Sequence, residues 1–356
     1  MAKIVTVYSA RDYELIDMSF IRWHRISEAL ARLGHQVDIA NNKPSIKFPV
    51  QIGDNVRMVP ISRVDWSAYD VVKTAYWSGF KTLETYGGLE HPFIISRLGT
   101  VVGPQDIDQI FFYGKKREEG YFYQQKMAKT SKYIAVLNES AKQLWTKCFG
   151  PSDNTLIVPG AADCYIPLPT QDPYPRDDRV RCIFAGNLFK RDFAPEANAA
   201  LIDKLNKLGG FLLRHGARLY VIGPGDVEDL DLRCVTYSGV VPYEKTWDYL
   251  HFAHVGVELV KGFSFMHNNE SSKIYHYLRA GLPVVTEAGL PNSNLVTEAK
   301  LGFIVENGNL ELMAQKIEEA ASRKDWDRNY SINYILNNHT WYKRAEVYDK
   351  ILKGLS

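Results

Sequence analysis

Asn269–Val285 reads NESSKIYHYLRAGLPVV. Ser271 and Ser272 suit the N-cap of a helix, because a serine hydroxyl can accept a bond from a first-turn N–H. The pattern predicts a helix over 271–279, followed by a buried strand over 283–286. Lys273 then lies in the first turn, where the helix dipole disfavours a cation. A cation held there makes sense when it meets an anion, and the free N–H groups around it favour the same ligand. A helix followed by a buried strand is one step of a strand–helix alternation, which in repetition implies parallel strands with right-handed crossovers.

The alternation continues in both directions. Strands are expected at 181–185, 218–222, 235–237, 255–259, 283–286 and 302–305. Helices fit 195–215, 243–252, 271–279, 292–299 and 310–322, and a last helix, about 341–353, follows a break near 337–339. Upstream lies a second series, with strands at 3–8, 36–40, 56–59, 69–73, 93–96, 133–137 and 155–158. Its helices fit 19–33, 78–86, 106–129 (broken at Gly114 and Gly120) and 139–149. Between the series, Tyr165–Arg176 carries four prolines and few large apolar residues, which reads as an interdomain linker. The expected domains are 1–165, joined by a C-terminal helix at about 340–356, and 177–336. Two doubly wound sheets place a ligand in a cleft facing the strand C-terminal ends.

Composition narrows the function. Hydrophobic residues make up 46% and charged residues 24%, values of a globular protein with ample core for two domains. Lys and Arg number 43 against 41 Asp and Glu, so no bulk field points to nucleic acid. Cys148, Cys164, Cys182 and Cys234 form no C-x-x-C pair, and free thiols fit a reducing cytoplasm. The opening MAKIVTVYSARDY meets a charged residue too soon for a signal peptide. No run approaches about 18 apolar residues, so no membrane span is expected. Asp106-Ile107-Asp108 has the letters of a D-x-D dyad, but on a helix start the two side chains point about 200° apart. Neither a metal nor a cofactor is implied.

Two further places suit a diphosphate, each at a predicted strand end. One is Ala185-Gly186-Asn187-Leu188-Phe189-Lys190-Arg191, where Gly186 admits close approach and Lys190 and Arg191 can reach phosphate. The other is Ile222-Gly223-Pro224-Gly225. Downstream, main-chain groups around Val240 in Ser238-Gly239-Val240-Val241-Pro242 can face a base.

At these residues the sequence resembles GT-B glycosyltransferases of the group-1/group-4 superfamily. SKIY-x-YL-x-AGLPVV is similar to their nucleotide-binding segment. Gly34-His35-Gln36-Val37 resembles the motif before their second strand, and Val158-Pro159-Gly160-Ala161-Ala162-Asp163 the one before their linker. Phe184–Leu188, Ser238–Pro242, Thr340-Trp341 and Arg344-Ala345 also fall in the family order. The resemblance implies two Rossmann-like doubly wound domains facing a cleft, with the C-terminal helix crossing back to the N-terminal domain. It implies that Lys190 or Arg191 and Lys273 bind the donor diphosphate, with Glu270, Ser271 and Ser272 lining the sugar-phosphate pocket. The family's ribose-binding Glu is His276 here, and the earlier Glu of its E-x7-E pattern falls on Asn268. The usual Gly-Arg pair is Gly186-Asn187.

The resemblance also implies an N-terminal acceptor domain. Its first strand leads into a polar loop with Arg11, Asp12 and Asp17, then Arg22, His24 and Arg25. Arg97 follows another strand. An inverting reaction needs a general base, for which Asp106 comes first and His24 second. Phe111–Tyr123 groups six aromatics around three basic residues. That segment suits either core helices with a charged turn, or peripheral contact with the inner face of a membrane carrying a lipid-linked acceptor. The expected activity moves a sugar from a nucleotide-diphosphate sugar to a hydroxyl of a glycan or glycolipid, in surface polysaccharide or glycoconjugate synthesis. A GT-B nucleotide-sugar epimerase and a non-catalytic sugar-binding protein remain as alternatives. A Rossmann dehydrogenase is disfavoured, since no G-x-G-x-x-G follows the first strand.

Overall fold

A computed structural model of the protein describes residues 1–8, 18–42, 47–104, 114–192, 194–260 and 268–354. The described chain forms two compact units. One takes the residues up to Pro159 and returns from Trp341 onward, and the other is Gly160–Thr340.

The first unit contains β1 (Lys3–Tyr8), α1 (Met18–Arg32), β2 (Gln36–Asn41), β3 (Val50–Gly53), β4 (Val56–Pro60), β5 (Val71–Ala75), α2 (Tyr76–Thr85) and β6 (Ile94–Arg97). It continues through α3 (Gly114–Thr130), β7 (Tyr133–Val136), α4 (Glu139–Phe149) and β8 (Thr155–Ile157). The strand order is β3-β4-β2-β1-β5-β6-β7-β8. The pairings are parallel except that of edge strand β3, which the sequence pattern did not announce and which runs antiparallel to β4. The winding reverses between β1 and β5. All five residues of β5 are buried, as a two-sided parallel strand requires. Helix α3 runs unbroken through Gly120, contrary to the expected break. A Cβ there would meet Trp77 Nε1 at 3.4 Å and Val102 Cγ2 at 3.3 Å, so this glycine admits tight packing and does not end the helix.

The second unit contains β9 (Val180–Ala185), α5 (Pro195–Arg214), β10 (Ala217–Ile222), β11 (Val235–Tyr237), α6 (Tyr243–Phe252), β12 (Val255–Glu258), α7 (Ser272–Arg279), β13 (Val284–Glu287), α8 (Leu295–Glu298), β14 (Gly302–Val305), α9 (Leu310–Ser322) and α10 (Arg328–Asn338). Its strand order is β11-β10-β9-β12-β13-β14, every pairing parallel. Leu201, Leu205, Leu208 and Leu212 of α5 pack with Met313 and Ile317 of α9 over Leu219, Val221 and Val257. Spacings of three and four put each helix's apolar residues on one face. The proline-rich segment read as a linker lies on this unit. Tyr174 is buried, its hydroxyl donating to the Tyr249 carbonyl at 2.8 Å, and Thr170 is held by both carboxylate oxygens of Asp248.

The chain ends in α11 (Trp341–Lys353), which packs on α1 of the first unit. The Gly34-His35 motif explains part of that docking. Gly34 takes φ +94 to end α1, and His35 is buried behind it. Its Nδ1 accepts from the Ala2 N–H at 3.1 Å, so in the neutral ring Nε2 carries the proton and donates to Asp349 of α11 at 3.0 Å.

Candidate functional site

An open α/β sheet binds its ligand where the winding reverses, at the C-terminal ends of the strands. In the second unit that point lies between β9 and β12. Gly186 follows β9, and a Cβ on it would stand 2.5 Å from Cε of Lys273, so the lysine stem crosses its bare Cα. Gly223 follows β10 at φ +135, where a Cβ would come within 2.1 Å of the Gly186 carbonyl oxygen. Only glycine adopts that conformation without strain. The Gly186 N–H donates to the Ile222 carbonyl at 2.8 Å, and the Gly223 N–H donates to the Gly239 carbonyl at 2.9 Å. Val240, just beyond, is exposed.

The two loops are zipped together farther out. The Leu188 N–H donates to the Pro224 carbonyl at 2.7 Å and the Asp226 N–H to the Phe189 carbonyl at 2.9 Å. These bonds hold Phe189 at φ +63, a conformation that costs a non-glycine residue about 1–3 kcal/mol. Arg191 serves the same junction. Its guanidinium reaches Glu228 at 2.7 Å, Asp229 at 2.5 Å and Asn198 at 3.3 Å, and its N–H donates to Asp226 at 2.8 Å. Of the two cations expected to offer a diphosphate contact, Lys190 or Arg191, the structure engages Arg191 with these carboxylates. Lys190 is exposed.

Helix α7 supplies the rest. Lys273–Arg279 are all buried, so this is a helix held by its surroundings on every side. The Tyr277 hydroxyl lies under the sheet, accepting from the Ala185 N–H at 2.9 Å, and Gly256 in β12 leaves room for its ring. Burial raises the Tyr277 phenol well above its ordinary range, so it stays protonated. Arg279 donates to the Asp163 carbonyl at 3.0 Å and to that of Cys164 at 2.7 Å. His276 packs its ring edge on Trp247 at 5.5 Å and Tyr243 at 6.1 Å, both from α6.

Ser271 is the N-cap residue, as expected, but its side chain makes no capping bond. Asn292 holds the position, accepting from the Ser271 N–H at 3.0 Å and donating to its carbonyl at 2.8 Å. The buried Ser271 Oγ has no hydrogen-bond partner among the described residues. The first-turn N–H groups therefore keep their capacity for an outside acceptor. Ser272 opens the helix beside it. Glu270 is turned to the structure, its Oε2 accepting from the Gly160 N–H at 2.7 Å and the Tyr275 hydroxyl at 3.1 Å.

Lys273 aims its amine at the ends of β9 and β12. Nζ stands 3.0 Å from Glu258 Oε2 and 3.3 Å from Oε1, and 5.0 Å from the centre of the Phe184 ring. Glu258 ends β12 and is 2% exposed. Neither Glu258 nor Asn292 stood out in the sequence. A glutamate inside the run 255–259 was the one available signal for the first.

The family described as "Glucosyltransferase 3-like, C-terminal domain" matches residues 217–345. Comparison with curated protein sequences found no match. Among solved structures, sucrose-phosphate synthase of Thermosynechococcus elongatus superposes with a TM-score of 0.74 at 15% identity, covering 100% of this chain and 99% of that one. WaaG, a glycosyltransferase of lipopolysaccharide biosynthesis, gives 0.64 at 13%, covering 99% and 100%. Anabaena Alr3699/HepE in complex with UDP-glucose gives 0.64 at 12%, again covering 99% and 100%. The fold is GT-B.

In the N-terminal GT-B unit, Arg11, Asp17 and Asp106 lie outside the described residues. His24 is buried on α1, its Nε2 at 3.2 Å from Glu28. Burial pulls the Glu28 carboxyl upward, but His24 and Arg25 outweigh it and hold the group at about 2, so it stays charged. Arg22 donates to the Tyr76 hydroxyl at 3.3 Å. Tyr76 itself sits directly after β5, at the switch point with β1, with φ +59. That strain left no trace in the sequence. Arg97, expected at the acceptor, is fully buried and donates to the carbonyls of Leu98 and Val158. A side chain without exposed surface braces the unit and meets no acceptor. In α3, Tyr121 stacks on Phe149 and Tyr123 on Trp77, while Phe122 is exposed beside Lys126. Among the described residues no helix is long and apolar enough to cross a membrane.

Proposed function

We propose that this chain is a glycosyltransferase that takes a sugar from a nucleotide-diphosphate sugar and passes it to a hydroxyl of a glycan or lipid-linked acceptor. The observation that carries the reading is the α7 N-terminus at the β9/β12 switch point. There a first turn without a side-chain cap, the bare backbone of Gly186 and the Lys273 amine converge. Backbone N–H groups, the positive end of a helix dipole and an ammonium are the means of holding a diphosphate and of stabilising the charge it gains on leaving. Lys190, exposed on the neighbouring loop, adds a cation that can turn inward. The main chain at 239–241 offers groups to the base. HepE, whose structure contains UDP-glucose, makes a uridine nucleotide the first donor to try.

The acceptor half of the reading rests on the other unit, where Arg22 and the strained Tyr76 flank the β1/β5 switch point. An aromatic face beside a guanidinium suits a sugar ring with polar substituents. The reading carries no metal and no cofactor; the leaving group is handled by the backbone and Lys273. A base at Asp106 or His24 belongs to it only if the reaction inverts.

Thermal stabilisation by UDP, GDP, ADP and dTDP tests the donor half. A ligand at a hundredfold excess over its Kd stabilises by about 2.7 kcal/mol. One nucleotide is expected to raise Tm, the shift should vanish in Lys273→Ala, and the matching sugar nucleotide should be slowly hydrolysed or transferred. A folded protein that none of the four stabilises refutes the proposal.

A further inference from the structure

Diphosphate binding has no need of Glu258, and a carboxylate at such a site works against the ligand. Glu258 is nevertheless built in. It closes a strand whose four residues are all buried, it is 2% exposed, and its two oxygens stand 3.0 and 3.3 Å from the Lys273 amine. The lysine has little freedom to leave, because Gly186 and the Phe184 ring confine its stem and head. Among the described residues no other carboxylate comes within 4.0 Å of that amine. The lysine and glutamate together carry no net charge. An ammonium has three donors, and a carboxylate on one side leaves donor capacity for a ligand on the other.

We propose that Glu258 is a positioning residue that acts through Lys273 as a built-in counter-anion. It holds the amine in place while the site is empty, and it weakens the hold on free nucleoside diphosphate so that the product leaves. The inference rests on the reading of this site as a nucleotide-sugar site. A bare lysine beside the helix N-terminus would bind a released diphosphate more tightly than a paired one. A paired lysine still contacts the ligand, but with its pull tempered, and it meets most fully the charge that grows on the leaving diphosphate.

The test is isothermal titration of UDP, GDP, ADP and dTDP into wild type, Glu258→Gln, Lys273→Met and the double variant. Removing one like charge beside an anion in a poorly solvated site is expected to tighten diphosphate binding by at least about tenfold. The expected order of affinity is Glu258→Gln, then wild type, then the double variant, with Lys273→Met weakest because it leaves an unpaired carboxylate facing the ligand. In turnover, Glu258→Gln should lower KM for the donor and lower kcat, as product release slows. A purely structural glutamate predicts weaker binding in Glu258→Gln, and that result, or an unchanged Kd, overturns the proposal. If Glu258→Gln does not fold, Lys273→Met against the double variant decides, and equal affinities there overturn it. If wild type binds none of the four nucleotides, the donor-site reading falls and takes this proposal with it. If wild type binds one and the order fails, only the role of Glu258 falls.

Discussion

Lys73 offers a sharp test of the packing in the first unit. It lies in the middle of β5, 1% exposed, and its amine has no hydrogen-bond partner among the described residues. The Tyr348 ring of α11 covers it at 4.1 Å, the Trp23 ring of α1 stands at 5.7 Å, and Arg97 lies beside it. Burial first, and the Arg97 charge second, push the amine down to about 7. In the unfolded chain the same group keeps its proton to about 10.4. Between those values the unfolded state binds more protons, so stability rises with pH by about 1.4 kcal/mol per unit. Below pH 7 the cost of burying the charged amine is paid in full and stays constant. Lys73→Met keeps the volume and removes the titration. Urea unfolding of both proteins at pH 6.5, 7.5, 8.5 and 9.5 should show wild type gaining about 3 kcal/mol on the variant between pH 7.5 and 9.5. Below pH 7, Lys73→Met should be the more stable protein. Parallel pH profiles would mean that the amine keeps its charge in the folded protein, against the burial described.

Asp349 links Lys353 and His35 to the docking of α11. The Lys353 bond lowers its carboxyl, burial opposes, and the His35 bond lowers it further. That contribution is present above about pH 4, the unfolded value, and is lost as pH falls through the depressed native value. Asp349→Asn should therefore cost about 1–3 kcal/mol at pH 7, and the cost should shrink as pH falls below about 4, read by circular dichroism across an acid titration. Gly223→Ala sets a Cβ against the Gly186 carbonyl at φ +135, backbone on backbone, and should cost more than about 1 kcal/mol and abolish nucleotide binding. Gly186→Ala sets a Cβ 2.5 Å from Cε of Lys273 and must displace the buried Lys273–Glu258 pair, so it should lower Tm and cut diphosphate affinity by about tenfold. Asn292→Ala removes both bonds that fix the Ser271 peptide and should lower stability by about 2 kcal/mol and weaken the nucleotide shift.

The two sheets were legible because buried parallel strands read as short apolar runs and their crossovers as amphipathic helices. The α7 segment was legible for a local reason: serines at a helix start and a cation in the first turn are both sequence-adjacent signals. What escaped depends on direction or distance. Arg97 follows a strand as a cleft residue should, yet period-two alternation places it on the face that α1 covers, against Trp23. Arg191 looks like a phosphate ligand until Glu228 and Asp229, nearly forty residues on, are brought beside it. Four prolines argue for a free linker, but Tyr174 among them finds Tyr220 and Tyr249 to pack on. Glu258 and Asn292 act across 15 and 21 residues, on Lys273 and Ser271, and no local pattern marks such pairs.

Hydrogen–deuterium exchange with and without the stabilising nucleotide tests the location of the site most directly. Slowed exchange is expected at the first-turn amides of α7, Ser272 to Ile274, and in the loops 186–190 and 239–241. The sheet interior of the other unit should be unchanged. Protection that spares those amides, with the nucleotide bound, would contradict the assignment of the β9/β12 switch point as the donor site.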